Sequence, residues 1–110
     1  MLPRRIKHKS RREQAQKRFP GHCAWVRGHA CCACGSTAAI ECAHVRNGTG
    51  GGVGMKPSDR WCLSLCHDCH AKQHSMGEAS FEKFAGINMK ALAEEFAKAS
   101  PHWPKLREMP

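Results

Sequence analysis

The sequence predicts a small α+β domain: a β-hairpin pinned between two cysteine pairs, a basic arm before it and helices after it. Three observations carry this expectation. Cys31-x-x-Cys34 and Cys66-x-x-Cys69 bracket two β-like segments joined by a glycine run. The C-terminal third has helical periodicity. A chain of 110 residues suits one domain with a modest core, for which a cross-link or metal is a useful staple.

Residues 1–21 read as a flexible or conditionally helical arm ending at Pro20-Gly21. Residues 22–28 suit a short helix with Trp25 and Val26 turned inward. The first cysteine pair then falls in a knuckle turn, with Gly35 directly after Cys34. Residues 38–45 read as a strand. Five glycines in residues 48–54 require a loop. Residues 60–65 read as the returning strand, and residues 67–76 as a helix carrying His67, His70 and His74. A further helix over residues 78–85 is closed by Gly86. Asn88 caps the next, which ends near Ser100-Pro101. Met89, Leu92, Ala93 and Phe96 give that helix one apolar face. Residues 22–100 therefore form the domain, and residues 101–110 a loose tail with Trp103 docking back.

The formal charge of +9 is uneven. Residues 1–18 hold Arg4, Arg5, Lys7, Lys9, Arg11, Arg12, Lys17 and Arg18 against one acid, Glu13, which is +7 of the total. Such an arm binds polyanions by releasing counterions, without reading sequence. The plainer reading is a solubilising tail. Membrane insertion is disfavoured because the arm has few large apolar residues. No apolar run approaches the roughly 20 residues that span a bilayer. Eight cysteines also fit a secreted disulfide scaffold. Against it stand the basic opening without a signal segment, the ligand-like C-x-x-C spacing and the histidines clustered beside the cysteines. A cytoplasmic location follows from that reading.

Two C-x-x-C pairs 31 residues apart can supply four thiolates to one Zn2+. Four thiolates leave no open position, so Cys31, Cys34, Cys66 and Cys69 are the expected ligands of a structural zinc. Cys32 is a competitor with poorer spacing. Cys23, Cys42 and Cys62 are expected as small buried residues.

His70-x-x-x-His74 places two imidazoles on one helix face, where both can reach one ion. The alternative is a solvated polar face. His44, near a strand end before the glycine loop, can serve as a general base near neutral pH. The plainer alternative is a buried histidine bonded to backbone. Arg46, Lys56 and Arg60 can grip phosphates around it. Asn47 beside glycines reads as turn chemistry.

Taken together, Cys31-x-x-Cys34-Gly, Ala43-His44-Val45-Arg46, Gly52-x-Gly54-x-Lys56-Pro57-x-Asp59 and Leu65-Cys66-x-x-Cys69-His70 resemble the HNH endonucleases. Within that family they are similar to the small phage and prophage type of Ref-like and YbcO-like nucleases. The resemblance spans about residues 22–100 and implies a ββα-metal (His-Me finger) core. It places the general base on His44, a catalytic-ion ligand on His70 and a second on His74. The knuckle cysteines fall on Cys31, Cys34, Cys66 and Cys69. Two positions depart from the pattern. Ala43 stands before the base, where many members carry an acid or histidine, and Trp61 stands where the middle Asn is expected. Asp59 is then either a metal ligand or the group that orients His44, or else a turn residue after Pro57-Ser58.

The expected function is metal-dependent hydrolysis of DNA phosphodiesters. The cofactors are a structural Zn2+ and a catalytic divalent ion, Mg2+ or Mn2+, with Zn2+ or Ni2+ tolerated by histidine ligands. DNA is the expected partner, held in part by Arg4, Arg5, Lys7, Lys9, Arg11, Arg12, Arg46, Lys56 and Arg60. A phage or host recombination or packaging protein is a candidate second partner. Oligomeric state is left open. The competing expectation is a catalytically inactive zinc module that binds DNA.

Overall fold

A computed structural model describes residues 2–3, 17–49 and 57–110. The arm residues Arg4, Arg5, Lys7, Lys9, Arg11 and Arg12, most of the glycine loop and Lys56 lie outside the described residues. The element order is α1 (Pro20–Val26), β1 (Ile40–His44), β2 (Cys62–Cys66), α2 (His67–Met76), α3 (Glu78–Ala85), α4 (Met89–Ala99) and α5 (Trp103–Leu106). The architecture is α+β, with one two-stranded sheet among the described residues. No described helix is long and apolar enough to cross a membrane.

The strands pair antiparallel, with Ile40 opposite Cys66, Ala43 opposite Leu63 and His44 opposite Cys62. β1 begins at Ile40 rather than Ala38 because Ala39 takes a left-handed φ of 55°, which ends extended pairing. Its carbonyl accepts the His67 N–H instead. β2 is buried at all five positions, whereas β1 is mostly half-buried. A lone hairpin is marginal in water, so packing on both faces of β2 matters. α4 packs on β2, while α1 and α2 contact both strands.

Leu63, Leu65, Phe81, Met89 and Ala93 form the centre of the core with Ala43, Val45 and Trp61. α3 contributes Phe81 and stops at Gly86, whose φ of 69° is the left-handed closing conformation. Asn88 caps α4 by accepting the Ala91 N–H at 3.0 Å, as its sequence position predicts. The buried stripe of α4 is Met89, Ala93 and Ala97, with Leu92 and Phe96 packed on its flank.

Residues 101–110 are not loose. Leu106 is fully buried in α5, and the Trp61 indole N–H donates to the Pro110 carbonyl at 2.8 Å. His102 packs against the Phe19 ring, with centroids 4.9 Å apart. The segment is short and polar, so its docking was visible in the sequence only at Trp103.

Leu63→Ala removes a fully buried side chain from the centre of this core. It should lower unfolding free energy by about 2–5 kcal/mol, measured by urea titration of zinc-loaded protein.

Candidate metal centre and active site

Two knuckle turns build the first cluster. After Cys34 the chain reverses at Gly35, φ 77°, and its N–H bonds to the Cys31 carbonyl. The Ala33 N–H points at the Cys31 sulfur, 3.4 Å, and the Cys69 N–H at the Cys66 sulfur, 3.5 Å. As a result Cys31, Cys34, Cys66 and Cys69 bring their sulfurs within 4.8 Å of one another. Four sulfurs at about 2.3 Å from a tetrahedral ion lie about 3.8 Å apart, and the Cys34–Cys66 separation is 3.7 Å. The residues therefore fit Zn2+. Thiols forced together without a cation compete for charge. Cys31 is brought down to about 6, backbone N–H groups overcoming burial, while burial pushes Cys69 up. Cys32 is excluded from the set, because its sulfur faces the Ser64 hydroxyl at 3.4 Å.

The second arrangement centres on Asp59. Its Oδ1 accepts from His44 Nε2 at 2.8 Å and from Arg18 at 2.9 Å. Its Oδ2 accepts the Phe19 N–H at 2.7 Å, and its own N–H donates to the Lys17 carbonyl. Burial alone would raise its pKa, but these bonds and the neighbouring His44 and Arg18 charges hold it down at about 2. Of the roles open to Asp59, the geometry favours orienting His44. The bond fixes one ring nitrogen and leaves Nδ1 without a protein partner among the described residues. His44 remains 20% exposed and lines a cleft of about 710 Å3.

The same cleft is lined by His70 and His74 of α2. His70 Nδ1 donates to Glu41 at 2.7 Å, and the two Nε2 atoms stand 3.1 Å apart. Two nitrogens at about 2.0–2.1 Å from one ion lie roughly 3.0–3.4 Å apart, so this pair can share a cation. Glu41 fixes the His70 ring, the outer role carboxylates take behind metal-bound histidines. Its other oxygen accepts from His67 at 3.0 Å, and both bonds hold the carboxyl below its ordinary range. Sequence reading missed Glu41; its place on β1, three residues before His44, was the available signal. Glu78 was missed as well. Its carboxylate accepts the N–H groups of Arg46 and Asn47 at 2.7 and 2.9 Å and anchors the chain leaving β1.

His44 does not join His70 and His74 in a single ligand group; its own ligand-distance neighbours are Asp59 and Cys62. Arg46 lines the cleft. Arg60 does not. Its guanidinium stacks over Trp61 and Trp103, 4.7 and 5.5 Å from the ring centroids, because cation–π contact outcompetes exposure there.

A family described as a protein of unknown function (DUF968) matches residues 6–101. The chain belongs to the DUF968 family. No curated protein and no solved structure matches it.

Removing zinc from reduced protein with a chelator should abolish cooperative melting and much of the helical circular dichroism. Zn2+ should restore both, but not in Cys66→Ala. The depressed Asp59 carboxyl sets a second expectation. Its charge should contribute about 2 kcal/mol of stability, present above about pH 4 and lost as the pH falls towards 2. Asp59→Asn should be less stable than the parent at pH 7 in urea titrations, with the gap closing over that acid range.

Proposed function

We propose that this chain is a metal-dependent endonuclease of the HNH type that hydrolyses DNA phosphodiesters. The observation that carries the reading is one cleft lined both by an Asp-oriented histidine and by a paired, Glu-backed histidine site. A strand pair that runs directly into the histidine-bearing helix is what the resemblance implies for such a core.

In the neutral Nε2–H tautomer, His44 donates to Asp59 and keeps a lone pair on Nδ1. Nδ1 takes a proton from a water, whose oxygen forms the new bond to phosphorus as the bond to the 3′ oxygen breaks. The 3′ oxygen takes its proton from solvent. Asp59 holds the ring and stabilises the imidazolium that forms, as in other Asp–His pairs. His70 and His74 are the residues that hold the divalent ion, with Glu41 fixing the His70 ring. When bound, that ion supplies stabilisation of charge on the phosphate and leaving oxygen. Arg46 binds a flanking phosphate at the cleft, and the basic arm adds affinity without sequence preference.

A second reading, an inactive zinc module that binds DNA, is favoured by Ala43. It is fully buried and offers no ligand next to His44.

The test is cleavage of supercoiled plasmid and single-stranded DNA by protein that keeps its cysteine-bound zinc but has been dialysed free of loosely held ions, with Mg2+, Mn2+ or Ni2+ then added. Metal-dependent cutting should fall at least about 100-fold in His44→Ala, with DNA affinity and cysteine-bound zinc retained. Unchanged cutting in that variant would remove the base assignment. No cutting by folded protein with any metal would favour the inactive module.

A further inference from the structure

Beside the cleft, three more cysteines converge. Cys23 on α1, Cys42 on β1 and Cys62 on β2 bring their sulfurs within 4.8 Å of one another. We propose that these three thiols form a second, independent metal site, which takes a thiophilic d10 cation, Zn2+, beneath the strand residue His44. The inference does not depend on the nuclease reading.

Three features separate the cluster from ordinary cysteine packing. Each thiol comes from a different element: strand pairing brings Cys42 and Cys62 to one face of the hairpin, and Cys23 joins them because α1 packs on both strands. Small buried cysteines usually fill gaps among apolar side chains, whereas these face one another. Cys42 also lines the cleft, which gives an ion an entry path and leaves a fourth coordination position for a solvent oxygen. Three thiolates with a solvent oxygen in the fourth position is a coordination set that Zn2+ adopts in some enzymes. On binding, each thiol releases its proton to solvent and the three sulfurs donate to the ion, so no oxidant is required. Cys62 also lies within ligand distance of His44 and Asp59. An ion here would tie α1, β1 and β2 together directly behind the histidine.

The probe is cadmium NMR of the reduced full chain titrated with Cd2+, where each added thiolate ligand moves the resonance downfield. The parent protein should show two thiolate-type resonances, one for four sulfurs and one for three. Cys42→Ser should abolish or move upfield only the second, with the surviving first resonance certifying the fold. The double variant His70→Ala, His74→Ala should keep both, which separates this site from the cleft histidines. Zinc analysis of that double variant should give two ions per chain. A single thiolate resonance in the parent protein overturns the proposal. So does a second resonance unmoved by both Cys42→Ser and Cys62→Ser.

Discussion

Cys66 occupies three positions at once. It is the last residue of β2, the N-cap of α2 whose sulfur accepts the Cys69 N–H, and one corner of the four-sulfur cluster. Strand end, helix start and metal corner are therefore one constraint. A thiolate at a helix N-terminus is favoured by the unpaired N–H groups and the helix dipole. Within α2, only Cys69 and Gln73 are buried, so the helix has little apolar burial of its own. Its position depends on the cluster at its start and on Glu41 holding His67 and His70. The direction of His70 and His74 into the cleft follows from where that cluster begins the helix.

Asp59 does for His44 what Cys66 does for His70 and His74. A buried carboxylate is costly unless it is fully bonded. Here its partners come from three places: His44 on β1, Arg18, and the backbone N–H of Phe19 before α1. The group that orients the candidate base is also the anchor for the chain entering α1. Function and stability are coupled at this residue, and a substitution there acts on both.

The strongest sequence signals were those whose chemistry is local. The C-x-x-C pairs needed only spacing, and Asn88 needed only its place before an apolar face. The same holds for Gly86. Positions that escaped reading depend on tertiary meetings. Nothing in the local sequence shows that Cys23 reaches Cys42 and Cys62, or that Glu41 reaches across to α2. The stacking of Arg60 between two tryptophans is equally non-local, since Trp103 lies 43 positions along the chain. Ala39 defeated the strand boundary because a left-handed alanine has no sequence signature. His44 and Asp59 were both singled out from the sequence, but the hydrogen bond between them required the fold.

The two strands divide their work by burial. β2 reads Cys-Leu-Ser-Leu-Cys and is covered on both faces, which suits a scaffold strand with no edge left for chemistry. β1 reads Ile-Glu-Cys-Ala-His and buries only Ala43. Its Cys42 and His44 line the cleft, and its Glu41 reaches across to His67 and His70. A hairpin this short could not hold polar groups on an exposed strand by strand pairing alone. It does so because the partner strand is fixed from behind by α4 and at its end by the four-sulfur cluster. The rigidity that orients His44 is therefore supplied by residues that never touch the cleft. The chain keeps its tightest packing and its four-sulfur cluster apart from the side chains that line the cleft.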